Sequence, residues 1–179
     1  ANPGQDRLQY MAGLGQEKLK KFDKALAYFQ AVPEKSQFYS HAQFRIAVVY
    51  KQQNNISAAL KVAQQLEQDP DVDWDIYILV SGLPSEPKDY DEAVEVLTRG
   101  YERHSDKHRL LFMKGVYQEK AGDVQDCIAT MREVIKVDPR NSSAFNYLGY
   151  LFAERGENLE EAESLIKRAL ELKPGDGYY

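Results

Sequence analysis

The chain has 179 residues, 43% of them hydrophobic and 28% charged, with a net charge of −5. These totals suit one sizeable folded domain or one short repeat array, and the acidity disfavours a general nucleic-acid binder, which works by neutralising phosphates. A single cysteine, Cys127, excludes an internal disulfide and a cysteine-built zinc site, and the longest apolar runs, IAVVY and IYILV, are far too short for direct membrane insertion.

The charge is uneven. Between Glu67 and Glu95 there are ten acids and one base, Lys88, so this stretch carries −9 and the remainder +4. Shifting the sequence against itself by 34 residues explains the organisation. Five windows fall into register, starting at Asp6, Ser40, Trp74, His108 and Ser142, with Asn158 as one extra residue in the fifth. Gly13, Ala47, Ser81, Gly115 and Gly149 form a small column, and Phe22, Ile56, Tyr90, Val124 and Leu159 a large apolar one. Ala25, Ala59, Ala93, Cys127 and Ala162 are small again, and Phe29, Ala63, Leu97, Met131 and Ile166 are apolar. Size class kept in so many columns marks a repeat array.

Each window predicts two helices joined by a polar turn, because apolar residues recur at three- and four-residue spacing on both sides of it. Two antiparallel helices approach closely only where one offers Gly or Ala to a large side chain of the other. A single pair cannot bury its apolar face, so each unit leans on its neighbours. In the first window, GLG at Gly13 to Gly15 lies inside a helix and lacks the third glycine of a dinucleotide loop.

The second window ends in DPDVDWD, Asp69 to Asp75, whose alternating acids imitate the start of a calcium loop. Such a loop needs glycine at its sixth place and glutamate at its twelfth. Counted from Asp69 those places hold Trp74 and Val80; counted from Asp71 they hold Ile76 and Gly82, so both frames fail. The better reading is a helix start, with Pro70 ending one helix and Asp71 or Asp73 capping the next. An acidic edge for a basic partner is the alternative.

The third window carries SGLPSEPKDY. A residue before proline is pushed out of helical geometry, so the first helix should stop near Gly82, with a loop before the next helix at Tyr90. Asp89 and Asp123 stand near the starts of second helices, and Pro33, Pro70, Pro139 and Pro174 follow their ends. In HSDKH, His104 and His108 straddle a window boundary with no third ligand in view, so no metal is expected there. Cys127 in the fourth window occupies an alanine column and reads as a buried spacer, not a nucleophile. Glu160 and Glu161 read as solubilising charge. No nucleophile elbow or phosphate loop occurs, and neither an enzyme nor a cofactor is expected.

SAFNYLGYLFAERGENLEEAESLIKRALELKP resembles the tetratricopeptide repeat along its whole length, and LLFMKGVYQEKAGDVQDCIATMREVIKVDP nearly as well. The resemblance implies an all-α fold, a right-handed superhelix of five helix-turn-helix repeats at about 6–39, 40–73, 74–107, 108–141 and 142–176. The first helices would line a concave surface. The first repeat departs from the pattern with Gln9 and Gln16 where the family prefers large apolar residues. The whole chain, 1–179, reads as one solenoid, and its start at Ala1 and end in GDGYY are those expected of a fragment of a longer repeat protein.

In the family's geometry the places one, four, five and eight residues after each window start point into the groove. Here they include Tyr10, Met11 and Leu14; Phe44, Arg45 and Val48; Ile78 and Leu79; Arg109, Phe112, Met113 and Val116; and Asn146, Tyr147 and Tyr150. An exposed helix face is ordinarily polar, so this apolar, aromatic set predicts a groove for a peptide or partner protein. The family's lysine and asparagine clamp for a terminal carboxylate is disfavoured, since Tyr10, Phe44, Ile78 and Phe112 replace the lysines; Arg45 and Arg109 remain to meet an acid. Packing between repeats is the alternative use of the same side chains, and self-association through uncapped terminal helices, a homodimer among its forms, the alternative function. ALAYFQAVPEKSQFYSHAQFRIA and FNYLGYLFAERGE also resemble bacterial cell-envelope repeat proteins that act as adaptors. That likeness implies a periplasmic or envelope location; the cytoplasm is the other expectation.

Overall fold

The computed structural model describes residues 3–69, 72–83 and 90–174, and every regular element among them is an α-helix. Contacts divide the chain between Pro87 and Lys88 into two units. The first holds α1 (Pro3–Lys18), α2 (Phe22–Gln30), α3 (Tyr39–Gln52), α4 (Ile56–Glu67) and α5 (Asp75–Ser81). The second holds α6 (Tyr90–Arg103), α7 (His108–Ala121), α8 (Val124–Val137), α9 (Ser142–Arg155) and α10 (Leu159–Leu172). Within each unit every helix packs on the next in the chain. No described helix is long and apolar enough to cross a membrane.

A small and a large column meet inside three of the helix pairs. A Cβ on Gly13 would lie 2.5 Å from the Phe29 ring, one on Gly115 2.8 Å from the Met131 methyl, and one on Gly149 2.8 Å from Ile166 Cγ1. These glycines let α1, α7 and α9 seat against α2, α8 and α10 with a large side chain in the gap. In the first unit the resulting core is Ala25, Phe29, Val32, Ala42, Ile46 and Val49. Its counterpart in the second unit centres on Cys127, Met131, Val134, Leu148 and Phe152.

The four described turns between paired helices share a backbone feature invisible in the residue types. Fourteen residues after the window start, Lys20, Asn54, Gly122 and Gly156 all take positive φ, at 56°, 58°, 98° and 66°. Glycine adopts this geometry freely, and a lysine with a Cβ does not. Asn55 and Asn141 then cap α4 and α9, their side chains accepting from the Ala58 and Ala144 amides at 3.3 and 3.1 Å.

The early end of the third window's first helix is as expected: α5 stops at Ser81, and α6 begins at Tyr90. The SGLPSEPKDY expectation otherwise falls on 84–89, and Asp89, Pro70 and Asp71 also lie outside the described residues. The expected aspartate cap is not what starts α5. Trp74 holds the cap position without a side-chain cap bond, and Asp73 contributes its carbonyl, which accepts from the Ile76 amide at 3.2 Å. Asp123 likewise occupies the cap of α8 without a side-chain cap bond. Glu161 is more than solubilising charge: it forms an ion pair with Arg132 across α8 and α10 at 2.9 Å.

Candidate functional site

In the first unit, Tyr10 is partly buried. Its ring stacks on Phe38 at 5.6 Å, tilts against Phe29 at 6.0 Å and meets the edge of His41 at 6.2 Å. Burial pushes its phenol above the ordinary value, with the Glu17 carboxylate adding and Arg45 opposing. Leu14, Phe44, Val48 and Ile78 are partly accessible, and Met11 is 54% exposed. Leu79 is buried and belongs to the core, because the short α5 turns it inward beside Ile76 and Val80.

Arg45 is not free to meet a ligand. Its Nε donates to Glu17 Oε2 at 2.8 Å and its second guanidinium nitrogen pairs with Oε1. Gln52 adds a bond from Nε2 to the same carboxylate at 3.2 Å. Glu17 is buried, so its charge depends on these partners.

The second unit repeats the arrangement with different chemistry. The Tyr147 hydroxyl donates to Glu119 Oε2 at 3.3 Å. Glu17 and Glu119 both stand eleven residues after their window starts, and Arg45 and Tyr147 both five residues after the next. Each pair therefore ties one first helix to the following first helix. Burial, then the Glu119 charge, hold the Tyr147 phenol far above its ordinary range. Phe112 packs edge-on against Tyr147 at 5.8 Å. Phe112, Met113, Val116 and Asn146 are partly accessible, Arg109 is exposed without an ion-pair partner among the described residues, and Tyr150 is 62% exposed.

Sequence reading missed both carboxylate links. Their partners lie 28 residues apart, across a window boundary, and column-by-column comparison does not look there. The signal was present: an acid in the eleventh-residue column, answered by a donor in the next window.

Among the described residues no group of three His, Cys, Asp or Glu side chains is placed to hold a metal ion. Cys127 is buried and its thiol is pushed up to about 11, by burial first and the Glu119 charge second. Thiolate is the reactive form, so at pH 7 its fraction is about 10⁻⁴. Native protein is expected to resist iodoacetamide at pH 7, while denaturant makes Cys127 label fully. Labelling of the folded chain at the rate of a free cysteine would contradict this.

These features define a class: all-α arrays of helix pairs packed in chain order within each unit. The tetratricopeptide repeat model matches residues 10–73 and 120–177, and the chain belongs to that family. Its fold class is the all-α tetratricopeptide class. A TPR repeat-containing protein of Pseudomonas aeruginosa is 25% identical over 171 residues, covering 96% of this chain and 29% of that protein. Heat shock protein STI1 of Saccharomyces cerevisiae is 34% identical over 86 residues, 48% of this chain and 14% of that one. The chain thus spans less than a third of the length of these curated relatives. Among solved structures, MamA from Desulfovibrio magneticus RS-1 has a TM-score of 0.73 at 14% identity, covering 99% of both chains. YrrB, described as a TPR protein with an unusual peptide-binding site, has a TM-score of 0.66 at 17% identity, covering 94% of this chain and 86% of its own. Likeness at these identities is one of fold.

Proposed function

We propose that the chain is a non-enzymatic adaptor that binds a peptide segment or partner protein on the accessible faces of its first helices. One observation carries this reading: after packing, α7 and α9 still offer Phe112, Met113, Val116 and Tyr150 to solvent. Aromatic and methionine side chains bury large area at modest entropic cost and adapt to the shape of a guest. With Arg45 bound to Glu17, Arg109 is the one of these two arginines left to meet an acid beside the guest's apolar residues. The peptide-binding description of YrrB, a fold neighbour, is consistent with this use.

Burying two or three large side chains contributes about 1.5–3 kcal/mol apiece. Association and ordering cost about 4–15 kcal/mol, so a single segment should bind near micromolar strength. The test is to select peptides on the intact chain and measure their affinity for a Phe112→Ala, Tyr150→Ala double variant. Affinity should fall at least about tenfold, roughly 1.4 kcal/mol, with helicity unchanged. Equal binding by the double variant removes this face from the function.

A further inference from the structure

The two links between consecutive first helices use the same three columns. In the first unit the acid is Glu17, and the next window answers it from five and twelve residues after its start, with Arg45 and Gln52. The guanidinium engages both carboxylate oxygens, and the pair is neutral. In the second unit the same three places hold Glu119, Tyr147 and Glu154. The phenol gives Glu119 one neutral bond, to Oε2 at 3.3 Å. Where Gln52 donates an amide N–H in the first link, the second places another carboxylate, that of Glu154.

The second link therefore lacks the cation of the first. Neither Glu119 nor Glu154 has an ion-pair partner among the described residues. Glu17 is buried, whereas Glu119 is partly accessible and Glu154 exposed. The two charges act together on one atom: burial raises the Tyr147 phenol most, and Glu119 and Glu154 both add to it. Each acid also shares a helix face with an accessible ring. Phe112 and Glu119 stand seven residues apart on α7, and Tyr150 and Glu154 four apart on α9. The result is an unneutralised carboxylate beside aromatic side chains, on the face already assigned to the guest.

We infer that this place receives a basic side chain of the guest, arginine before lysine, whose cation meets Glu119 as Arg45 meets Glu17 in the first unit. The inference rests on the peptide-binding reading above and names the chemistry that the guest must bring. A guanidinium offers a carboxylate two parallel N–H donors and stacks on aromatic rings, whereas an ammonium is a point charge. Glu154 adds a second negative charge that favours the same cation and repels an acidic guest residue. The site lies at the opposite end of α7 from Arg109. The ten residues between Arg109 and Glu119 span about 15 Å of helix, so a guest can offer an acid to one end and a base to the other.

The probe is a random dodecapeptide library, selected in parallel on the intact parent chain and on its Glu119→Gln and Glu119→Arg variants. Glutamine keeps an acceptor for the Tyr147 hydroxyl, so circular dichroism melting of Glu119→Gln should match the parent. Peptides that bind the parent should carry Arg or Lys at one fixed position relative to their apolar residues. Replacing that residue by Gln should weaken binding to the parent at least about tenfold, but binding to Glu119→Gln by less than about threefold. Glu119→Arg should instead select an acid at that position. Peptides that depend on Phe112 and Tyr150 yet show no basic position overturn this inference and leave the peptide-binding reading standing. A basic position whose contribution survives Glu119→Gln does the same. If no library member binds the parent, or binding is indifferent to Phe112→Ala with Tyr150→Ala, both are overturned together.

Discussion

Phe29→Ala should lower the unfolding free energy by about 3–5 kcal/mol, the usual loss for a fully enclosed aromatic ring. Phe29 has no exposed surface, anchors the core of the first unit and lies against the α1 backbone at Gly13. The companion change should reverse sign with background. Gly13→Leu alone forces carbon atoms into the space of the ring and should cost about 1–3 kcal/mol by overpacking. With Phe29→Ala the ring is gone, and the leucine enters the vacated space from the facing helix and also relieves the glycine's helical penalty of about 1 kcal/mol. The double variant should therefore be more stable than Phe29→Ala alone, giving a coupling of about 2 kcal/mol or more. Chemical denaturation of the four proteins checks this. If Gly13→Leu destabilises both backgrounds equally, the columns do not pack as a complementary pair.

That pairing was legible in the sequence because it recurs at nearly constant spacing: Gly13 with Phe29, Gly115 with Met131 and Gly149 with Ile166 are three independent examples of one contact. The early stop of α5 was legible for a local reason, since Leu83 precedes Pro84 and cannot remain helical. Contacts between windows were harder to see. Leu79 and Ile78 are adjacent and equally apolar, yet Leu79 is buried and Ile78 partly accessible, and hydropathy alone does not separate them. Arg45 is an exposed cation by composition and a committed one by geometry, since its partner Glu17 lies on another helix. The positive φ of Lys20 was hidden because no glycine stands there to announce it, although Gly122 and Gly156 fill the equivalent place.

Glu17→Ala should cost about 2–4 kcal/mol, although it removes a carboxylate that composition would place at the surface. Breaking a buried charge pair typically costs about 3–5 kcal/mol, because the abandoned partner stays desolvated. The Arg45 side chain is 31% exposed against 5% for Glu17, so the guanidinium recovers some hydration and the figure comes down. Gln52 also loses its acceptor. The energy lies in pairing rather than in charge as such, so Glu17→Leu with Arg45→Leu should return to within about 1 kcal/mol of the parent. The equivalent link in the second unit sets the scale. Tyr147→Phe removes a neutral donor from the Glu119 carboxylate and leaves the ring packed on Phe112; at 3.3 Å the bond is long, so the loss should be about 1.5 kcal/mol, the low end for a bond to a charged group. Thermal denaturation of these variants separates the two cases. A Glu17→Ala loss no larger than that of Tyr147→Phe would mean that the carboxylate is solvated in the folded chain and that Arg45 is free to meet a ligand after all.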